Sequence, residues 1–163
     1  MELDIPSISA IVAAIGVLIG VVFTVLQLRD LVRTRHTDLV MRLYSTWQSK
    51  EFSEATLKVW NLEFKDYNDF VKKYGPWYSE TEVYTAFRMV CNFFDGIGIL
   101  LIRKLVDIEI VASMFTASTK TSWEKVKLLV EGRRQIGTTL FPDFEYLYNE
   151  IKKREQQLAS KTA

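Results

Sequence analysis

The sequence predicts an all-α protein, in which one N-terminal transmembrane helix continues into a cytosolic helical bundle. Three observations carry that expectation. No residue from Ile5 to Leu28 is charged, and between Ala10 and Leu26 only Thr24 is polar. Neither proline nor glycine occurs between Val21 and Tyr74, so nothing there interrupts a helix. Apolar residues recur at three and four positions, whereas no period-two alternation is long enough for a sheet strand. The predicted organisation is a transmembrane anchor over 1–30, a cytosolic helical domain over 31–154 and a frayed or disordered tail over 155–163.

The anchor comes first. As a helix, Ile8 to Leu28 measures about 31 Å at roughly 1.5 Å per residue, enough for a hydrocarbon core about 30 Å thick. Pro6 suits a first helical turn, where Ser7 or Ser9 can satisfy free amides. A cleavable signal peptide fits poorly, because Met1-Glu2-Leu3-Asp4 is acidic where such leaders are basic, and no small-residue cleavage pair follows. A buried core helix also fits poorly, because apolar side chains cover every face. Glu2 and Asp4 precede the span, and the juxtamembrane bases Arg29, Arg33 and Arg35 follow it. Positive charge stays inside, so the expectation is a cell-membrane protein with its amino terminus outside and the rest in the cytoplasm. As a further reading, the bases touch lipid headgroups.

Small residues form a stripe within the span. Ser9, Ala13, Gly16, Gly20 and Thr24 follow one another at intervals of four, three, four and four, along one helix face. Gly16 and Gly20 make a GxxxG step, which lets a second backbone approach where lipid supplies no hydrophobic drive for association. The stripe is the predicted oligomer interface.

Beyond the span, Leu28, Leu31, Val32, Leu39, Val40, Leu43 and Trp47 keep helical spacing, so the first helix is predicted to reach about Trp47. Ser53 is the predicted start of a helix through Leu57, Trp60, Leu62 and Phe64. A short helix through Tyr67, Phe70 and Val71 should stop at Gly75-Pro76. Ser79 and Glu82 have the capping-box spacing, opening a central core helix that runs to about Leu105. Asp107 caps a short helix through Phe115, Thr121 or Ser122 opens another, and Phe141-Pro142-Asp143 starts the last.

Composition narrows the function. Twenty-one lysines and arginines against 20 acids give a net charge of +1, without the basic excess of a nucleic-acid binder. One histidine (His36) and one cysteine (Cys91) cannot form an internal disulfide or a cysteine–histidine zinc site. Cys91 falls in the most apolar helix, where a thiol is neutral and inert. Gly96-Ile-Gly98 lacks the third glycine of a phosphate loop and sits inside a helix. Glu131-Gly-Arg-Arg-Gln135 reads as a basic helix end. The most informative polar group is Arg88, Asn92 and Asp95, spaced four and three apart on one face of the central helix. It is read as a buried polar network, with Arg42 or Arg133 as further partners for the carboxylate. No catalytic, cofactor-binding or metal-binding residues are predicted.

Arg42-Leu-Tyr-Ser-Thr-Trp47 with Glu51-Phe52, then Phe93-Phe-Asp-Gly-Ile-Gly98, Leu105-Val-Asp107 and Trp123 together resemble a known family. It is domain of unknown function 4760, a set of small single-pass proteins with a helical cytosolic domain. The resemblance covers roughly Leu31 to Leu147; members often carry glutamate where this chain has Asp95. It implies the architecture and brings no activity.

The expected function is therefore non-enzymatic: a homo-oligomer, held through its anchor and long helix, that serves as a scaffold or interaction module. The alternative is a small ion channel whose N-terminal helix lines the pore, with Thr24 and Gln27 facing the lumen. Expected partners are membrane lipid, further copies of the chain and an unidentified protein, with no nucleic acid.

Overall fold

The computed structural model describes residues 5–77, 79–137 and 139–162. Among the described residues six helices follow one another: α1 (Ile5–Gln48), α2 (Lys50–Trp60), α3 (Tyr67–Tyr74), α4 (Glu82–Ile102), α5 (Ile108–Arg134) and α6 (Pro142–Thr162). No strand occurs among the described residues, so the fold is all-α. The chain divides into two compact units, one up to Arg42 and one from Leu43 onward.

With no glycine or proline from Val21 onward, and with Gly16 and Gly20 accommodated in the apolar stretch, α1 is one uninterrupted helix of 44 residues. It stops where Ser49 turns extended (ψ 146°), and the Ser49 hydroxyl accepts the Phe52 amide at 3.2 Å to start α2. The predicted start at Ser53 is corrected to Ser49: the extended backbone needed for a cap occurs at the first hydroxyl beyond α1. The helix then ends at Trp60 rather than Phe64, with Asn61 closing it. Asp66 caps α3 through the Asp69 amide. Gly75, at φ +95°, ends it in a conformation that side chains disfavour. The cap of α4 is Thr81, whose hydroxyl accepts the Tyr84 amide, and not the predicted Ser79.

The predicted break at Thr121 or Ser122 is absent, because α5 is a single helix from its Asp107 cap to Arg134. Ser118, Thr119 and Ser122 point inward, and Ser122 Oγ accepts the Trp60 indole N–H at 2.9 Å, tying α5 to α2. The last helix, α6, reaches Thr162, and Lys120 meets Glu155 at 2.8 Å while Arg154 pairs with Glu109.

Aromatic side chains fill the second unit. Trp47 packs on Phe52, Phe93, Phe94 and Phe115 with ring centroids 5.4–6.3 Å apart. Phe94 stacks on Phe144 at 4.9 Å, and Trp123 meets Phe144 edge-on at 5.0 Å. Such ring pairs add about 0.5–1.5 kcal/mol each beyond the area they bury. Among the described residues α4 is the one helix long and apolar enough to cross a membrane, and Ala13–Arg29 of α1 is a shorter apolar helix. The two differ in what covers them. In α4, Tyr84, Phe87, Val90, Cys91, Phe94 and Ile97 are fully buried against neighbouring helices. In α1, the apolar side chains from Ile15 to Leu31 are exposed.

Candidate functional site

The α1 surface is the first candidate. Ile15, Val17, Leu18, Ile19, Val21, Val22, Phe23, Val25, Leu26 and Leu28 are all about half exposed or more. Burying one such side chain is worth about 1.5–3 kcal/mol relative to leaving it in water, which makes this contiguous apolar surface a candidate for contact. Gly16 and Gly20 face open space, with no atom within 4 Å of where a side chain would begin. Ser9, Ala13 and Thr24 are exposed along with them. Thr24 Oγ1 donates to the Gly20 carbonyl at 2.8 Å, so its one proton is satisfied inside the helix without water. Gln27 and Arg29 are exposed; the side chains of Arg33, Arg35 and His36, and all of Glu2 and Asp4, lie outside the described residues.

The Arg88–Asn92–Asp95 network is corrected. Arg88 and Asn92 are exposed, and only Asp95 is half-buried. The three share a helix face, yet only the Asp95 turn is covered, by the N-terminus of α6. There Asp95 Oδ1 accepts the amides of Asp143 and Phe144, both at 3.0 Å. Its partners are thus two free amides of a helix start rather than an arginine, and the carboxylate acts as a cap delivered from another helix. Burial pushes the Asp95 carboxyl above the usual carboxylate range; the Phe144 amide opposes this, the Asp143 charge adds to it, and the Asp143 amide opposes it again. Arg133 lies over the Trp77 ring, 5.4 Å from its centroid. Arg134 is held by Glu145 and by the Leu140 carbonyl. Arg133 and Arg134 are therefore engaged by the fold, and Gly132 lies against Tyr67, where a Cβ would come within 2.5 Å of the tyrosine Cβ.

Cys91 is fully buried, and burial together with the Asp95 charge pushes its thiol well above the ordinary value. A neutral, enclosed thiol offers no nucleophile. Among the described residues no group of three or more histidine, cysteine, aspartate or glutamate side chains is placed to hold a metal ion.

One surface escaped the sequence reading. Met89 to Ile102 reads as a single apolar run, yet Ile99 and Ile102 stay exposed at the end of α4, as do Leu105 and Ile110 across the turn to α5. Four apolar residues flanking the pair Arg103-Lys104 were the available signal.

The profile of a family described as a domain of unknown function (DUF4760) matches residues 10–151. No curated protein and no solved structure matches the chain.

Proposed function

Because the chain belongs to the domain of unknown function (DUF4760) family, we propose a function from its own geometry: it is a non-enzymatic, membrane-anchored homo-oligomer that serves as a scaffold or interaction module. The observation that carries this reading is the uncovered apolar length of α1, with Gly16 and Gly20 open along it. Lipid covers the apolar side chains, and a second copy fits the small-residue stripe, where backbones can approach closely. The crossing is assigned to α1 and not α4, since the apolar face of α4 already has protein partners. Arg29, Arg33 and Arg35 hold the following chain in the cytoplasm, opposite Glu2 and Asp4.

A pore would need water beside Thr24 and Gln27. The Thr24 hydroxyl bonds to its own helix, so it packs against a dry neighbour as readily as it meets water. Packing is the reading adopted.

Alkaline carbonate extraction followed by protease digestion of sealed, right-side-out cells tests the anchor. The chain should stay with the membrane pellet, and Trp47 to Ala163 should survive external protease. Release by alkali, or digestion of that region in intact cells, would overturn the anchor or its orientation respectively.

A further inference from the structure

We propose that the α4–α5 corner is a second membrane contact, which docks on an anionic lipid surface. The inference rests on the reading of α1 as an anchor, which keeps the domain beside a bilayer.

Three features of the corner converge. Four apolar side chains surround one turn and remain exposed: Ile99 at 44%, Ile102 at 45%, Leu105 at 45% and Ile110 at 43%. Apolar exposure gathered in one place, with polar residues at its edge, marks an interaction site. Two bases, Arg103 and Lys104, sit in the turn itself and are exposed. Neither takes part in any ion pair among the described residues. Between Ile99 and Ile110 the acids are Asp107 and Glu109; Glu109 is offset by Arg154, so Asp107 alone stands against the two bases and the turn keeps a positive excess.

The third feature is backbone conformation. The Leu105 amide bonds to the Leu100 carbonyl at 2.9 Å and the Lys104 amide to the Leu101 carbonyl at 3.0 Å. This is the paired closure of a helix end in which the left-handed residue is normally glycine. Here that residue is Lys104, at φ +56°. A lysine kept where glycine is easier is strained, and strain of this kind points to a role for the side chain. The usual partner of such an end is an apolar contact from the residue that follows, but Leu105 remains nearly half exposed. The turn thus presents a base and a leucine outward together.

Bases beside exposed isoleucine and leucine suit a lipid surface: the apolar side chains enter the acyl boundary and the cations meet phosphate oxygens. A second copy of the chain fits less well, because burying Arg103 and Lys104 against it would also bury Asp107 and Glu109, and taking so many charges out of water costs more than their pairing returns.

The test uses the full chain in vesicles whose acyl chains carry bromine, with a fluorescent label on Leu105→Cys. Cys91 is enclosed and stays unlabelled in the folded protein. In phosphatidylethanolamine–phosphatidylglycerol vesicles the label should be clearly quenched, as expected for a side chain at the acyl boundary. It should lose little in vesicles of phosphatidylcholine alone, and a label on exposed Lys152→Cys should lose little in either. Arg103→Glu with Lys104→Glu should abolish the loss. Lys104→Gly removes one base while relieving the turn, so it should weaken quenching while raising the melting temperature. An unquenched Leu105→Cys label on chain that resists alkaline extraction would overturn the corner contact and leave the anchor standing. Quenching that persists on chain released by alkali would overturn the anchor alone. A label shielded from aqueous iodide yet unquenched by lipid would place a protein partner or a second copy on the corner, and would also overturn the proposal.

Discussion

A Cβ placed on Gly98 would stand 2.0 Å from the carbonyl oxygen of Asp143. At that point α4 and α6 approach closer than any side chain permits. The approach places the first amides of α6 beside Asp95, one turn earlier on α4, whose Oδ1 accepts the Asp143 and Phe144 amides at 3.0 Å. Glycine and aspartate thus act together, one admitting the neighbouring backbone and the other satisfying its free donors.

Gly98→Ala should therefore lower stability by about 3 kcal/mol, the upper end of the ordinary overpacking range, because backbone and not a flexible side chain stands in the way. Gly96→Ala is the control. No atom lies within 4 Å of its Cβ position, so it should gain about 0.5–1 kcal/mol from higher helix propensity. Thermal unfolding of the two variants in detergent reads both signs, and equal melting temperatures would contradict the close approach.

Asp95 offers a test with a pH signature. Asp95→Ala removes the cap and should cost about 1–2 kcal/mol. Asp95→Asn keeps an acceptor oxygen and removes the half-buried charge. Burial raises the folded carboxyl above its unfolded value of about 3.9, so the folded state holds its proton more tightly than the unfolded state does. Stability from this group is complete below the unfolded value and is lost as pH rises through the raised folded value. At pH 7 the asparagine variant should match or exceed the wild type, and wild type should gain relative to it as pH falls through that window. Denaturant melts at pH 7 and pH 4 check this; a less stable asparagine variant at pH 7 would contradict it.

Local chemistry was legible in the sequence where it was unambiguous. The lack of Gly or Pro from Val21 to Tyr74 makes α1 continuous, Asp107 caps α5, and Gly75 ends α3. Where several hydroxyls stand close together, tertiary packing chose among them, so Ser49 and Thr81 cap α2 and α4 in place of Ser53 and Ser79. Ser122 looks like a helix start in sequence, but its hydroxyl accepts a hydrogen bond from the indole N–H of Trp60, 62 residues away. The partners of Asp95 lie 48 and 49 residues away. No periodicity encodes such a pairing, and the spacing Arg88–Asn92–Asp95 suggested a network along one helix that the packing of α6 replaces. In the candidate site, the small-residue stripe was readable because it needs only spacing. The exposure of Ile99 and Ile102 was not, since a core run and a surface run share the same composition.

Cys91 should be chemically silent while the protein is folded. A neutral disulfide reagent at pH 8 should leave it unmodified in detergent and titrate one thiol after unfolding, because burial keeps the thiol protonated and out of reach. Rapid modification of folded protein would mean that α4 opens.

Packing and pore readings of α1 diverge at Thr24 and Gln27. Cysteines at these positions should resist a charged thiol reagent in membranes, and purified protein should pass no current in planar bilayers, since thiolates form in water and not in a dry interface. Modification of either cysteine, with single-channel steps abolished by Gln27→Leu, would install the channel reading.

The most direct test of the central claim is the mass of the detergent-solubilised complex, wild type against Gly16→Leu with Gly20→Leu. An anchor that associates through its small-residue stripe gives a wild-type mass of two or more copies, and leucines that keep backbones apart give a single chain. A monomeric wild type, or an oligomer whose mass the two leucines leave unchanged, would contradict the account.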